Sequence, residues 1–124
     1  MIIDSDVMIE VLRGNLKTVA WLKSEQAAGT VLRYSPVSRA EIRAGARSSD
    51  IAAIATFFGT LVAVPVQGST GEVAGDQLAR FARSHGVQMG DALIAAAAIE
   101  LSDDLATFNA KHFPGVASVV KPAR

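Results

Sequence analysis

The chain has 124 residues, half of them hydrophobic, with 12 basic and 12 acidic side chains, zero formal net charge and no cysteine. That length suits a single domain over residues 1–124. The charge balance excludes a globally basic nucleic-acid binder, and the missing cysteines exclude disulfides, thiolate nucleophiles and zinc–thiolate sites. The opening apolar run stops at Asp4, too soon for a signal peptide, and no apolar stretch is long enough to span a bilayer. A soluble cytoplasmic protein is expected. A mean hydropathy of +0.31 is high for so small a chain and leaves apolar surface for a partner.

Met1 to Ile3 reads as a strand buried on both faces, apolar without alternation. Helical spacing begins at Asp6 and stops at Gly14, and Leu16 to Ala27 forms a second helix closed by Gly29. Val31 to Tyr34 is a strand that ends at Ser35-Pro36, followed by a helix opened by Ser38 and another over Asp50 to Phe58. Val62 to Val66 is a strand that Pro65 assigns to a sheet edge. Helices then cover Glu72 to Ser84 and Gly90 to Leu101, strand Leu105 to Phe108 follows, and Ala117 to Val120 is a second edge strand. Alternating strands and helices predict an α/β fold, a mostly parallel sheet with helices on both faces.

In such a sheet, ligands bind beyond the carboxyl ends of the strands. Asp4 stands at one of these ends and Asp6 starts the next helix, where a carboxylate is also a good N-cap. A carboxylate closing a buried strand needs a partner. Glu41 lies three residues after Ser38, the spacing of a capping box. Asp91 opens an alanine-rich helix and could serve only as its cap, while Asn109 follows a strand as a turn residue would. Taken together, Asp4, Glu41, Asp91 and Asn109 fall where one rim of the sheet can gather them. Gathered carboxylates repel unless a cation neutralises them, and an all-oxygen donor set suits Mg²⁺ or Mn²⁺ rather than zinc.

Four stretches, IDSDVMIE, SPVSRAEIRAGA, GDALIAAAAIEL and LATFNAKHFPGV, come in an order that resembles PIN-domain proteins. They resemble in particular the small VapC-type toxins of bacterial toxin–antitoxin pairs. The resemblance implies a three-layer α/β/α sandwich with a sheet of about four or five strands, and a metal-dependent endoribonuclease site. By position, Asp4, Glu41 and Asp91 match the family's core acids, and Asn109 stands where a fourth acid or an amide is found. Asp6 matches a position near the site that is often acidic or amide, and Thr107 a hydroxyl close to the metal. The implied reaction is in-line attack of a metal-activated water on an RNA phosphodiester, leaving 5′-phosphate and 3′-hydroxyl ends. Asp4 and Asp91 would hold the ion, Glu41 would hold its water or a second ion, and Asn109 and Thr107 would orient water. An amide at 109 adds an oxygen but no charge, which argues for one firm Mg²⁺. The resemblance also implies a homodimer, and a VapB-type antitoxin whose tail lies in an apolar groove and sends a basic side chain to the acids.

Arg39, Arg43 and Arg47 are spaced as one stripe on the helix of Glu41, where they could meet RNA phosphates or simply face solvent. Arg13 is placed to pair with Glu10, and Asp76 with Arg80. His112 reads as a surface residue or as support behind the acids, and Asp103 and Asp104 as turn residues at the opposite sheet edge. Phe57 and Phe58 point about 100° apart on a helix, so one should face away from the core. The Ala95–Ala98 run would serve internal packing or a dimer seam. Two other functions compete. A haloacid-dehalogenase-like phosphatase would use Asp4 as nucleophile and Asp6 as acid/base, with a lysine for which Lys111 is poorly placed. A non-enzymatic interaction domain would use the acids only as caps.

Overall fold

Ile2 and Ile3, neither exposed at all, form β1 at the centre of the sheet. The computed structural model, which describes residues 1–124, places β2 (Arg33–Tyr34) and β4 (Leu105–Ala106) on either side of it. β3 (Val62–Ala63) and β5 (Val119–Val120) complete the order β3–β2–β1–β4–β5, with every pairing parallel. The two strands expected at edges are at the edges. Regular pairing is shorter than the apolar runs, so Thr107, Phe108 and Asn109 lie beyond the end of β4.

Six helices flank the sheet: α1 (Ser5–Leu12), α2 (Leu16–Ala27), α3 (Pro36–Ala44), α4 (Ile51–Phe58), α5 (Gly68–His85) and α6 (Met89–Leu101). Strand alternation divides the core. Ile3 and Ala106 pack with Val7, Met8, Leu22, Ile42, Ile54 and Phe58 on one face, while Ile2 and Leu105 pack with Ile94, Ala97, Ala98 and Phe113 on the other. The result is the expected three-layer sandwich. The alanines of α6 serve both neighbours: Ala95, Ala97 and Ala98 face the sheet side, Ala92 and Ala96 face Ala74 and Val87 around α5. Their small size lets two elements approach one helix, so the run is internal packing and not a dimer seam. Phe58 is buried and stacks edge-on with Tyr34 and Phe57, which is only partly covered.

Several helix starts differ from the sequence expectation. α3 begins at Pro36, with Ser35 as N-cap accepting from Val37 N–H. Proline at the first helical position is pre-set for a helix and needs no donor. Ser38 is therefore inside the helix, fully buried, and the Ser38–Glu41 capping box does not form. α5 starts at Gly68, four residues before the expected Glu72, through Gln67 and Thr70. At the opposite end of the sheet, Asp103 is more than a turn residue: its carboxylate lies 2.8 Å from both the Met1 ammonium and Arg33. Burial raises its pKa, but these two cations outweigh that and hold it below the usual carboxylate value. No helix is long and apolar enough to cross a membrane.

Candidate functional site

β1 ends at Asp4, whose N–H still donates to Ala106 of the neighbouring strand. Its extended backbone makes Asp4 the N-cap of α1, with Oδ1 accepting from Ser5 N–H at 2.8 Å. Asp6 is therefore not the cap. It sits in the first turn, and its Oδ2 accepts from Phe108 N–H at 3.0 Å. Thr107 stands between the two acids, its Oγ1 donating to Asp4 Oδ2 at 2.8 Å and lying 3.2 Å from Asp6 Oδ2. A hydroxyl carries one hydrogen. It serves the nearer carboxylate and leaves the longer contact under-satisfied.

The remaining residues lie around this pair. Ser5 Oγ donates to Glu41 Oε1 at 2.9 Å, linking α1 to α3. Glu41 Oε2 lies against Gly90, 3.4 Å from where a β-carbon there would stand. Glu41 is thus placed beside the start of α6. Asp91 is at the third position of α6, where Oδ2 accepts from Gln88 N–H at 3.1 Å. The same oxygen is 3.6 Å from His112 Nδ1, which is 2.8 Å from Asn109 Nδ2. Asn109 N–H donates to Thr107 Oγ1 at 3.0 Å, which leads back to Asp4. Asp4, Asp6, Thr107 and Asn109 are thus joined by hydrogen bonds at the carboxyl ends of β1 and β4, with Glu41 linked through Ser5 and Asp91 lying 3.6 Å from His112. Sequence reasoning missed Ser5 and Gly90 and undervalued His112. Ser5 carried a signal, a hydroxyl between two acids. Gly90 carried none beyond its place before Asp91.

The electrostatics centre on Asp4, which is 7 % exposed. Burial, then the charge of Asp6, raises its pKa from an ordinary 3.8 to about 7. Burial raises Asp6 as well, and Asp6 Oδ1 is buried with no hydrogen-bond partner. Two neighbouring carboxylates without a countercharge, one with an orphaned oxygen, fit a cation. No three acid or histidine side chains form a ready-made chelate. Mg²⁺ does not require one: it commonly takes one or two carboxylates and keeps several waters.

Beside the rim, a cavity of about 490 Å³ runs between α1, α3 and α4. Ser5 and Glu41 belong to both, Ile9, Leu12, Ile42 and Ile54 give it an apolar lining, and Arg13, Arg47 and Asp50 also border it. The arginine stripe does not exist as expected, because α3 ends at Ala44 and Gly45. Arg47 lies past the helix, where its N–H donates to Asp50. Arg39 donates to Tyr34 OH at 3.1 Å and stacks over Phe58, and Arg43 is exposed on the last turn. Arg13 and Arg124 both approach Glu10, and Arg80 approaches Asp76, as ion pairs.

The PIN domain family model matches residues 1–118. Ribonuclease VapC19 of Mycobacterium tuberculosis is 34% identical over 114 residues, covering 91% of each chain. Ribonuclease VapC10 of the same organism is 36% identical over 115 residues, covering 92% of this chain and 86% of that one. In fold, the chain is similar to one in the VapBC2 structure from Rickettsia felis bound to a promoter DNA fragment, with a TM-score of 0.80, 17% identity and 96% coverage of both chains. It is also similar to one in the DNA-bound VapBC structure from Salmonella typhimurium, with a TM-score of 0.81, 16% identity and coverage of 96% and 95%.

Proposed function

The chain belongs to the PIN-domain family, among the VapC-type endoribonucleases of toxin–antitoxin systems, and from that premise we propose which residues do the work. VapC nucleases of this family depend on a divalent metal; here the ion is Mg²⁺, with Mn²⁺ as substitute. Asp4 and Asp91 hold it, and Asp4 is the firmer ligand because burial and Asp6 leave it short of countercharge. A bound divalent ion would polarise the scissile phosphate and ease deprotonation of an attacking water. Glu41 and Asn109 orient water with their oxygens, and Thr107 fixes the Asp4 carboxylate through its hydroxyl. Asp6 is held by Phe108 N–H and adds negative charge behind Asp4. The substrate is an RNA of the tRNA or rRNA class, cut to 5′-phosphate and 3′-hydroxyl ends in the cytoplasm.

The observation that carries this reading is the buried Asp4–Thr107–Asp6 cluster, to which Asn109 is hydrogen-bonded through Thr107 and Glu41 is linked through Ser5. Mapping 5′-phosphate RNA ends tests it. New ends are expected when the purified protein meets total RNA with Mg²⁺, and none with a chelator. Ends that form equally well with the chelator would overturn the assignment. The phosphatase alternative lacks its lysine, since Lys111 is exposed on the turn after Asn109.

The partner reading rests on the groove. Its apolar lining suits the tail of a VapB-type antitoxin, and its opening at Ser5 and Glu41 lets a basic side chain reach the acids. Exposed Leu16, Met89 and Val62 leave apolar surface for a homodimer. RNA contacts fall to Arg43 and Arg47 rather than Arg39, whose guanidinium braces Tyr34 and Phe58. Arg43→Gln is expected to weaken RNA binding and to reduce the slope of log affinity against log salt by about one. An unchanged slope would remove Arg43 from the RNA surface.

A further inference from the structure

His112 follows Asn109 by one turn of 3₁₀ helix, its backbone N–H donating to Asn109 C=O at 3.1 Å. That turn folds the imidazole back over the Asn109 side chain, where Nδ1 lies 2.8 Å from the amide nitrogen. With the amide nitrogen facing the ring, Nδ1 is the acceptor of this contact and Nε2 the ring nitrogen that carries hydrogen. Asp91 Oδ2, at 3.6 Å from Nδ1, lies beyond hydrogen-bond reach and does not compete. The other end of Asn109 is also fixed, since its backbone N–H donates to the Thr107 hydroxyl that serves Asp4.

An amide can present either of two opposite ends to its surroundings. Presented as oxygen, Asn109 adds an acceptor to the acid rim. Presented as NH₂, it adds two donors and repels a cation. Nothing in the covalent structure chooses between them, but an acceptor held against the nitrogen does. We propose that His112 is a positioning residue that captures the Asn109 amide nitrogen and so turns the amide oxygen toward the acid rim. The 2.8 Å contact between Asn109 Nδ2 and His112 Nδ1 assigns it that role. This rests on the metal-site reading above. It also explains how an amide can stand where a fourth acid would need no such guide, because a carboxylate presents oxygen whichever way it turns.

The test uses the full-length protein and Mn²⁺ alone, followed by calorimetry, beside RNA cleavage and ¹⁵N spectra of the imidazole. In the metal-free protein the spectra should show hydrogen on Nε2 and a bare Nδ1. His112→Leu removes the acceptor and should lower Mn²⁺ affinity by about tenfold, the usual scale for residues that orient ligands, with kcat falling and KM little changed. His112→Asn keeps an oxygen acceptor near the Nδ1 position and should restore most of both. With Asn109→Asp already in place, His112→Leu should no longer lower Mn²⁺ affinity, because no amide remains to be turned. Hydrogen on Nδ1, equal loss in the Leu and Asn variants, or the same loss in the Asn109→Asp background would each overturn the role, as would a parent chain that binds no Mn²⁺. Intact spectra and Mn²⁺ binding without RNA cleavage would instead reject the nuclease reading and leave this one standing.

Discussion

Asp4→Asn is expected to abolish metal-dependent RNA cleavage, lowering the rate by about 10³-fold or more, without unfolding the protein. The fold is preserved for a local reason. Asn caps a helix as well as Asp does, so its side-chain oxygen still accepts from Ser5 N–H, as Oδ1 does at 2.8 Å. Its amide nitrogen can donate to Thr107 Oγ1, which accepts in place of donating. Activity is lost for an electrostatic reason. The amide has no charge with which to hold a divalent cation, and Lewis-acid stabilisation is worth several kcal/mol, at tenfold in rate for each 1.36 kcal/mol. Single-turnover cleavage of a defined RNA, followed with Mg²⁺ in excess, makes the comparison. Activity within threefold or so of the parent would remove Asp4 from the chemistry.

The same residue shows what a sequence can and cannot say. That Asp4 closes a buried strand is visible in MIID, and the parallel sheet and its edges follow from the alternation of elements and from Pro65. Which acid caps α1 is not legible in the spacing, because capping depends on where the backbone leaves the extended region, and the cap falls at Asp4, two residues before Asp6. Ser35-Pro36 and Ser38–Glu41 offered two rival starts for α3. Proline at the first helical position won, which frees Glu41 to face Ser5 instead of its own backbone. The arginine stripe failed at Gly45, a stop that stood in the sequence between Arg43 and Arg47. The closing contacts of the rim were not legible at all. Ser5 with Glu41 and His112 with Asp91 join residues far apart in the chain, and no local pattern encodes which side chains meet once helices are docked.

The second large effect is a stability that runs opposite to activity. Asp4 has its pKa raised to about 7 in the folded protein, by burial and then by Asp6, against an ordinary 3.8 once unfolded. Between those values the folded protein holds a proton that the unfolded chain has released, so the contribution of Asp4 to stability falls as pH rises from about 4 to about 7. The difference amounts to about 4 kcal/mol once both states are ionised. Asp6, raised by burial too, moves in the same direction. Asp4→Asn removes the buried charge and keeps the cap. Without metal at pH 8 the variant should therefore be more stable than the parent by about 2–4 kcal/mol, or on the order of 10 °C in Tm for a domain of this size. At pH 4 the parent carboxyl is neutral and the advantage should vanish. Millimolar Mn²⁺ at pH 8 should narrow the gap by stabilising the parent alone, since a ligand that binds only the folded state adds to stability by mass action. Thermal melts at pH 4 and pH 8, with Mn²⁺ and with a chelator, contain the whole test. A parent that gains stability on going from pH 4 to pH 8 without metal, or a variant that responds to Mn²⁺ as the parent does, would contradict the crowding of negative charge on which the proposed metal site depends.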